Sequence, residues 1–431
     1  MPAEVKSRVC PFVMHTLLLC TLLLAAPAFA ADQVDTLAAK ANAAYHAHQY
    51  AAMETDVEKL LKLLPGYPQG IYFLAIARAG QGDRDGAIRA LDRLADMGLY
   101  FDIRKQAVLK KLQDARGFAA VEQRFAPNLK QVGSAEPAFE LTEKDFLPEG
   151  IAHDPDSGDF FVSSVHLRKI VRVHQGHVGT FADRSSGLDG VLGIRVDAAR
   201  GVLWATSAAL PQMQDYDSKD KGRTALFRFD LSGRTKPKTY RLPEGGEHQL
   251  NDLDVAPDGT VYVADGDGGI YVLKPGTAQL EPLTSSGALH SSQGLALSPD
   301  GHRLYVADYA GGLFAFDLQT RTLTRVRAPS DVCVYGIDGL LMEGGDLVAT
   351  QNGIQPQRIV RYRLADGGLA IKSATVLDAN DPRVPEPTLL TVADHTLYAV
   401  ANSQWSGFDN QGHLKEDAVL QAPRIVKLAL H

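Results

Sequence analysis

The sequence predicts a mainly β protein, a six-bladed β-propeller preceded by a small α-helical repeat domain. Residues 248–273 alternate apolar and polar positions and contain two turns, Pro257-Asp258-Gly259 and Gly268-Gly269, which together indicate three antiparallel strands. Nearly the same pattern returns 42 residues later, at 293–316. Because one small sheet cannot bury its own face, repeated copies predict a closed array of sheets.

Weaker copies of this unit, each followed by a turn and an aromatic or β-branched run, begin at Glu149, Leu192, Asp338 and Pro387. Together with the two strong copies they give six blades. A propeller must pair its two ends, so the alternating segment 139–142 is expected to complete the sixth blade beside residues 424–428. The predicted propeller therefore spans residues 139–431.

Residues 31–127 have a different hydrophobic pattern. Apolar residues recur at spacings of three and four, which predicts amphipathic helices. A shift of 34 residues superposes Ala41 on Ala75 and Leu60 on Leu94, so this part resembles a pair of tetratricopeptide-type helical hairpins. Such hairpins commonly present a concave face to a protein partner. The alternative is a cap packed against the propeller. Residues 128–138 have the composition of a linker.

The first 30 residues are typical of a cleavable signal peptide. They combine a basic flank at Lys6 and Arg8, an apolar run at 16–26 that is too short to span a bilayer, and an Ala-x-Ala end at Ala30. A lipoprotein anchor at Cys20 is disfavoured because Leu19 stands where a small residue is required. We therefore expect a periplasmic or secreted protein without a membrane anchor.

The net charge argues against nucleic-acid binding, and the cysteine content argues against a disulfide-stabilised fold. The formal net charge is −7, without a basic cluster, which argues against a nucleic-acid partner. Once the predicted signal peptide leaves, Cys333 is the only cysteine, so no disulfide can form within the chain. Cys333 precedes a predicted strand and is expected to be a buried apolar residue rather than a nucleophile.

The first strand of each propeller blade lines the central channel, so equivalent positions in successive blades form a ring. The residues at this position are Glu149, Leu192, Asn251, Gln293, Asp338 and Pro387. Four of them carry oxygen donors, without Cys or His, a set that suits Ca²⁺, with Mg²⁺, Mn²⁺ and Zn²⁺ as alternatives. The competing interpretation is that the mouth of a channel is wet and collects polar residues in any case. We predict a divalent cation bound by Glu149, Asn251, Gln293 and Asp338.

These motifs resemble the senescence marker protein/gluconolactonase family of six-bladed propellers, which includes calcium-dependent sugar lactonases. Pro148-Glu149-Gly150, Asn251-Asp252 and Asp338-Gly339 are similar to the family's metal motifs. Two positions depart from the pattern: Gln293 stands where the family has Asn, and Gln249 where the sugar lactonases have Arg. The resemblance covers about 290 residues and implies that Asp338 both binds the metal and activates water.

Loops before the first strand and after the second strand of each blade are expected to surround the ring. This topology nominates His248 and His290 as alternative catalytic bases. The same topology adds Tyr335, Asn352 and Trp405 as substrate-pocket residues, and the resemblance adds Gln249, which stands where the sugar lactonases carry Arg. Asp265 and Asp308, which end second strands, are expected to tie loops rather than to act in catalysis. An insertion at 208–223 is either a lid or a solvated surface loop.

Two functions from different classes follow from these features. The first is a metal-dependent hydrolase of a small cyclic ester, a lactonase of the gluconolactonase type. The second is a non-catalytic periplasmic propeller that, with the helical domain, binds a protein, peptide or glycan. The sequence has no Gly-x-Ser-x-Gly, His-Glu-x-x-His or Cys-x-x-Cys motif, which removes the common alternatives for a hydrolase or a metal site.

Overall fold

A computed structural model describes residues 31–430, apart from 115, 116, 244, 245 and 286. Within these residues six four-stranded antiparallel sheets form a β-propeller, and α-helices precede it. The predicted fold class is therefore confirmed. The predicted signal peptide, residues 1–30, lies outside the described residues.

Five blades are formed from four consecutive strands each. Blade one contains β2 (Pro148–Asp154), β3 (Asp159–Ser164), β4 (Lys169–His174) and β5 (His177–Ala182), and blade two contains β6 (Gly190–Asp197), β7 (Val202–Ala208), β8 (Thr224–Asp230) and β9 (Lys238–Tyr240). Blade three contains β10 (Leu250–Val255), β11 (Val261–Asp265), β12 (Gly269–Leu273) and β13 (Glu281–Pro282), and blade four contains β14 (Ser292–Leu297), β15 (Arg303–Asp308), β16 (Gly312–Asp317) and β17 (Thr322–Arg325). Blade five contains β18 (Ile337–Glu343), β19 (Asp346–Gln351), β20 (Arg358–Ala365) and β21 (Ala370–Ala379).

The sixth blade joins the two ends of the propeller. It contains β22 (Leu390–Ala393), β23 (Thr396–Val400), β24 (Arg424–Ala429) and, as its outer strand, β1 (Glu136–Glu140). Strand β1 pairs antiparallel with β24, with Phe139 opposite Ile425. The pairing is the one expected from the sequence, and it removes the open edges that an unclosed ring would expose.

In five blades the first strand carries a β-bulge at the same place. In β2 the register shifts between Pro148 and Ile151, so two residues face a single residue of β3. Strands β6, β10, β14 and β18 shift at the equivalent positions. A bulge leaves its extra residue outside the ladder and redirects a side chain. The residues redirected toward the channel axis are Glu149, Leu192, Asn251, Gln293 and Asp338.

The glycine after the ring position lets neighbouring blades approach. A Cβ atom on Gly339 would lie 2.7 Å from the Thr388 carbonyl oxygen of the next blade, and one on Gly150 would lie 2.5 Å from the Leu192 carbonyl oxygen. A hydroxyl from the second strand bridges the same gap: Ser163 Oγ donates to the Leu192 carbonyl at 2.6 Å. Thr350 Oγ1 makes the equivalent bond to the Thr388 carbonyl. The close approach of the next blade therefore requires glycine at Gly150 and Gly339, whereas blade three has Asp252 at the equivalent position.

The described N-terminal part contains α1 (Ala31–His46), α2 (Tyr50–Leu63), α3 (Pro68–Gln81), α4 (Arg84–Asp96), α5 (Ala107–Lys110) and α6 (Phe118–Phe125). Helices α1 to α4 pack against their sequence neighbours as hairpins. Asp83 caps α4 by accepting a hydrogen bond from the Gly86 amide at 2.9 Å, and Pro68 occupies the first turn of α3. Helices α3 and α4 thus begin at residues that favour the start of a helix.

The helical region packs directly onto blades four and five. One continuous apolar cluster runs from α1–α4 into the space between these blades, where it includes Cys333, Tyr335 and Tyr362. Hydrogen bonds cross the junction, for example from the Tyr100 amide to the Gln355 carbonyl at 2.8 Å. This packing is the arrangement expected of a cap. Cys333 is buried, as expected, and none of the described helices is both long and apolar enough to cross a membrane.

Candidate functional site

A cavity of about 260 Å³ opens at the channel axis where the bulged first strands meet. We call it the ring cavity. It is lined by Glu149, Leu192, Gly193, Gln249, Asn251, Asp252, Gln293, Tyr309, Asp338, Asn352, Glu386, Leu389 and Trp405. The structure thus brings together the four residues that the sequence nominated as metal ligands, although they are separated by up to 189 positions in the chain.

Four carboxyl groups line the ring cavity, and two of them, Glu149 and Asp338, are predicted metal ligands. Burial and the nearby negative charge of Asp338 raise the pKa of Glu149 well above its usual value of 4.5. Burial, together with the charges of Asp252 and Glu386, raises the pKa of Asp338 from 3.8 to about 7. Carboxylates that share a shielded site disfavour each other's ionised form. The cavity therefore concentrates negative charge where little solvent can disperse it.

Glu149 and Asp338 are each oriented by a neighbouring side chain of the cavity wall. Asn352 Nδ2 donates to Asp338 Oδ2 at 2.5 Å and to the Pro387 carbonyl at 3.1 Å. Trp405 Nε1 donates to Glu149 Oε2 at 2.7 Å. A hydrogen bond to the ionised form lowers a carboxyl pKa, so both contacts partly oppose the effect of burial. Asn352 and Trp405 therefore hold the two acids in position and stabilise their charged forms.

The amide side chains of the ring cavity are also held by hydrogen bonds. Asn251 Nδ2 donates to the Ser292 carbonyl at 2.9 Å, and Gln249 Nε2 donates to Asn251 Oδ1 at 2.8 Å. Gln293 Nε2 donates to Ser291 Oγ at 3.1 Å. Gln249 and Gln293, the two departures from the family pattern, thus both lie in the cavity wall, and Gln249 contacts one of the predicted metal ligands.

The donor set of the ring cavity fits a hard divalent cation. Its polar side chains supply carboxylate and amide oxygens, and none of the described residues that line it is Lys, Arg, His or Cys. Oxygen ligands of this kind suit Ca²⁺ and Mg²⁺, and a dication would compensate carboxylate charges that burial and mutual repulsion otherwise disfavour. The described residues contain no cluster of three or more His, Cys, Asp or Glu side chains arranged for a metal, so the amides would have to contribute ligands.

Three acidic or hydroxyl groups in the ring cavity were not among the predicted site residues. Glu386 comes from blade six, where it accepts hydrogen bonds from the Ser406 amide and hydroxyl, both at 3.1 Å. The alignment had selected Pro387, which is not among the described residues that line the cavity. The packing shows that the register in blade six is shifted by one residue, because the Thr388 carbonyl faces Gly339 as the Asp338 carbonyl faces Gly294. Asp252 follows Asn251 in its motif, and Tyr309 directly follows Asp308 at the end of β15, so both were adjacent to recognised positions.

Three predicted pocket residues lie outside the ring cavity. His248 Nδ1 lies 2.6 Å from Asp265 Oδ2, and the His290 amide donates to Asp308 Oδ2 at 2.5 Å. The His290 ring contacts the helical region instead, with Nε2 2.8 Å from Asp35 Oδ1 of α1. Neither imidazole is among the described groups that line the ring cavity. Tyr335 also packs toward the helical region. The topological argument placed these loops at the correct mouth but could not give the direction of each side chain.

The second-strand aspartates tie loops, as expected. Asp308 Oδ1 accepts hydrogen bonds from the amides of Ser291, Ala310 and Gly311, and Asp265 Oδ1 accepts one from Gln249. The insertion at 208–223 lies beside the loop after β23, where Gln212 Nε2 donates to the Asp409 carbonyl at 3.3 Å. None of the residues 208–223, all of which the structure describes, lines the ring cavity.

The sequence profile described as the SMP-30/Gluconolactonase/LRE-like region matches residues 147–376, which are 230 of the 431 residues. This segment begins just before the first blade and ends in blade five. It therefore contains all four of the predicted metal ligands. No curated protein matches the chain.

The structure is similar to several solved propellers. A gluconolactonase from Xanthomonas campestris is 18% identical, with a TM-score of 0.45, over 70% of this chain and 92% of the other. The calcium-binding protein regucalcin from Agrobacterium tumefaciens is 17% identical, with a TM-score of 0.46, over 68% and 93%. A virginiamycin B lyase from Staphylococcus aureus is 14% identical, with a TM-score of 0.46, over 69% and 99%.

Proposed function

The chain belongs to the SMP-30/Gluconolactonase/LRE-like family, and from this premise we propose that it is a metal-dependent hydrolase of small cyclic esters. The observation that carries the proposal is the convergence of Glu149, Asn251, Gln293 and Asp338 on one shielded cavity at the propeller axis. A pocket with a few convergent polar groups and displaced carboxyl pKa values is the usual form of an active site. The family assignment supports lactone hydrolysis as the reaction class.

Glu149, Asn251, Gln293 and Asp338 would hold the cation. When bound, a divalent ion supplies Lewis-acid polarisation of an ester carbonyl and compensates the negative charge that develops on its oxygen. Calcium is the ion that we propose first, because the donor set contains only oxygen ligands from carboxylates and amides. The regucalcin that this chain resembles in fold is described as calcium-binding.

Asp338 is the residue that we assign as general base. Its carboxylate accepts a proton from the attacking water as the water oxygen bonds to the lactone carbonyl carbon. The proton then passes to the departing alkoxide as the ring C–O bond breaks, so the product is a hydroxy acid. Asn352 keeps Oδ2 of Asp338 oriented through the 2.5 Å hydrogen bond. Without that orientation the base would not be held within reach of the water.

Other residues of the ring cavity position the substrate. The Tyr309 hydroxyl, which donates to Asn352 Oδ1 at 3.0 Å, and the Gln249 amide are neutral groups that can hydrogen-bond to hydroxyls or to the ring oxygen of a lactone. Burial and the surrounding carboxylates raise the pKa of Tyr309, so its phenol stays protonated near neutral pH. Gln249 lacks the positive charge of an arginine, which favours a neutral substrate over an anionic one.

The metal is tested first by a thermal-shift titration with Ca²⁺, Mg²⁺, Mn²⁺ and Zn²⁺. A ligand that binds the folded state raises the melting temperature with its concentration. We expect Ca²⁺ to stabilise the wild-type protein and Glu149→Gln to lose most of that response. The matched control is Glu281→Gln, which removes an exposed glutamate from β13. An equal calcium response in Glu149→Gln would remove the ring cavity as the metal site.

Activity is tested with a panel of γ- and δ-lactones, measured with calcium and after chelation. We expect ring opening that requires the metal and follows the calcium affinity found in the thermal-shift titration. If no lactone is opened although calcium binds, the hydrolase proposal fails. The binding scaffold, with the helical region as a second docking surface for a protein partner, would then be the remaining function.

The N-terminal segment supports a location outside the cytoplasm. We propose that residues 1–30 direct the protein to the periplasm or the exterior and are removed after Ala30, leaving a mature chain without a membrane anchor. Edman sequencing or mass spectrometry of the protein from a periplasmic fraction should give an N-terminus at Ala31. A full-length protein retained in the cytoplasm would contradict it.

A further inference from the structure

A second, larger cavity lies where the helical region meets blades four and five. Its volume is about 640 Å³. We call it the interface cavity. Helix α3 and the segment 99–102 form one wall, and the loops that contain Tyr309, Tyr335 and residues 352–355 form the other. A volume of this size is typical of sites that bind small organic molecules.

The walls of the interface cavity are aromatic and almost uncharged. Five aromatic side chains line it: Tyr67, Tyr100, Phe101, Tyr309 and Tyr335. Leu99 and Ile354 add aliphatic surface, and Asp102 is the only charged side chain among the described residues that line it. Asp102 is itself paired with Lys105 at 3.2 Å. The wall therefore suits an apolar or aromatic group and offers no cation to an anionic ligand.

The interface cavity adjoins the ring cavity through two shared residues, Tyr309 and Asn352. The Tyr309 hydroxyl donates to Asn352 Oδ1, and Asn352 Nδ2 donates to the proposed base Asp338. Tyr309 packs closely on Gly353, where a Cβ atom would lie 2.6 Å from the tyrosine ring. Tyr309 and Asn352 therefore lie at the boundary that the two cavities share, next to the proposed base.

The aromatic walls are held in place by contacts between the two parts of the chain. The rings of Tyr67 and Tyr335 lie 5.5 Å apart, and Tyr335 Oη donates to the Pro65 carbonyl at 2.9 Å. Phe101 stacks on Tyr72, with ring centroids 4.6 Å apart. A wall that is already rigid loses little conformational entropy when a ligand binds. The helical region thus contributes a preformed surface next to the ring cavity.

From this arrangement we infer that the interface cavity binds an apolar or aromatic substituent of the lactone whose ring is opened in the ring cavity. The inference rests on the proposed function and narrows its substrate class to lactones with an alkyl or aryl side chain. The helical region then determines specificity by binding the part of the substrate that does not react.

The test uses the full mature chain and two series of ligands. Non-hydrolysable δ-lactams with no substituent, a butyl group or an octyl group are titrated by calorimetry in the presence of calcium. The matching δ-lactones are assayed for ring opening. Burial of alkyl groups should lower the lactam Kd by about threefold to fourfold for each methylene group that enters the cavity. A Kd that is independent of chain length overturns the inference.

Two tryptophan variants locate the effect. Gln69→Trp places an indole into the interface cavity from the exposed face of α3, and it should abolish the dependence of Kd on chain length. It should also reduce the preference in kcat/KM for the octyl lactone over the unsubstituted lactone by at least about tenfold. Gln319→Trp changes an exposed glutamine that lines neither cavity, and it should retain both properties. Retention of the chain-length dependence in Gln69→Trp overturns the inference.

The outcomes separate this inference from the proposed function. If lactones are opened but the substituent changes neither Kd nor kcat/KM, the interface cavity is not a substrate subsite and the hydrolase proposal stands. If no lactone is opened, the hydrolase proposal fails, and the assignment of the interface cavity to a lactone substituent fails with it.

Discussion

The two cavities differ in the origin of their walls. The ring cavity takes at least one residue from each of five equivalent bulges, so its side chains come from most of the propeller and converge by symmetry. The interface cavity is formed from neighbouring segments of the helical region and of blades four and five, without any repeat. The ring cavity is acidic, whereas the interface cavity is aromatic.

This difference explains why we assign catalysis to the ring cavity and substrate selection to the interface cavity. The repeated fold concentrates carboxylates at one point, which costs free energy unless a cation or protons compensate them. The interface between the helical region and blades four and five buries apolar surface, so it has no concentrated charge that a ligand must compensate. Chemistry is therefore assigned to the symmetric site and substrate selection to the asymmetric one. The following predictions test that division.

The largest effect is expected from Asp338→Asn. The substitution keeps the shape of the side chain but removes the proposed base and one metal ligand, so kcat should fall by about 10²–10⁴-fold. Lactam binding should keep its dependence on chain length, because the interface cavity is unchanged. Steady-state kinetics and calorimetry measure the two properties, with the exposed Asp331→Asn as control. An active Asp338→Asn enzyme would show that the ring cavity is not catalytic.

A smaller effect is expected from Gly339→Ala, which tests the spacing around the axis. The added Cβ would lie 2.7 Å from the Thr388 carbonyl and 2.8 Å from Thr350 Oγ1, so blades five and six must separate. We expect a loss of about 1–3 kcal/mol of unfolding free energy, measured by chemical denaturation, and weaker calcium binding. Gly179→Ala, where a Cβ meets no atom within 4 Å, should be nearly neutral. Equal stability of both variants would disprove the spacing argument.

The pH dependence of stability tests the proposed effect of the buried carboxyl groups in the ring cavity. In metal-free protein the pKa of Asp338 is raised from 3.8 to about 7, so between these values the folded state keeps a proton that the unfolded state has released. The free energy of unfolding contributed by this group is therefore largest below pH 3.8 and is lost as the pH rises through about 7. Glu149 contributes in the same direction, because its pKa is also raised.

Calcium should reverse this trend, because it replaces protons at the carboxylates. We expect the increase in melting temperature caused by calcium to be larger at pH 8 than at pH 5. Differential scanning fluorimetry at both pH values, on wild type and on Glu149→Gln, measures it. A calcium effect that is the same at both pH values would indicate that the ion binds away from these carboxylates.

The smallest effect is expected at the interface cavity. Tyr335→Phe removes the 2.9 Å hydrogen bond to the Pro65 carbonyl but keeps the ring that packs on Tyr67. The loss should be about 0.5–1.5 kcal/mol of unfolding free energy, with little change in lactam binding. Denaturation and calorimetry measure these quantities, and Tyr240→Phe on the outer strand β9 is the control. A large loss of lactam affinity would mean that the Tyr335 hydroxyl itself contacts the ligand.

Much of the ring cavity followed from the sequence because repetition carries positional information. Glu149 and Asp338 could be placed together, although distant in the chain, since both precede the glycine of the same unit. The alignment was wrong in blade six, where the repeat is weak: it selected Pro387, which is not among the described residues that line the cavity, and missed Glu386. The topological argument also failed for His248, because topology gives the mouth at which a loop lies but not the direction of its side chain.

The sequence by itself determined the number of blades, the closure of the last blade by β1 and the ring residues of blades one to five, since strand period and repeat length are local properties. Only the tertiary structure decided what surrounds them. The hydrogen bond from Trp405 to Glu149 and the aromatic junction with the helical region depend on contacts between segments far apart in the chain. Such contacts have no periodicity that a sequence pattern could reveal.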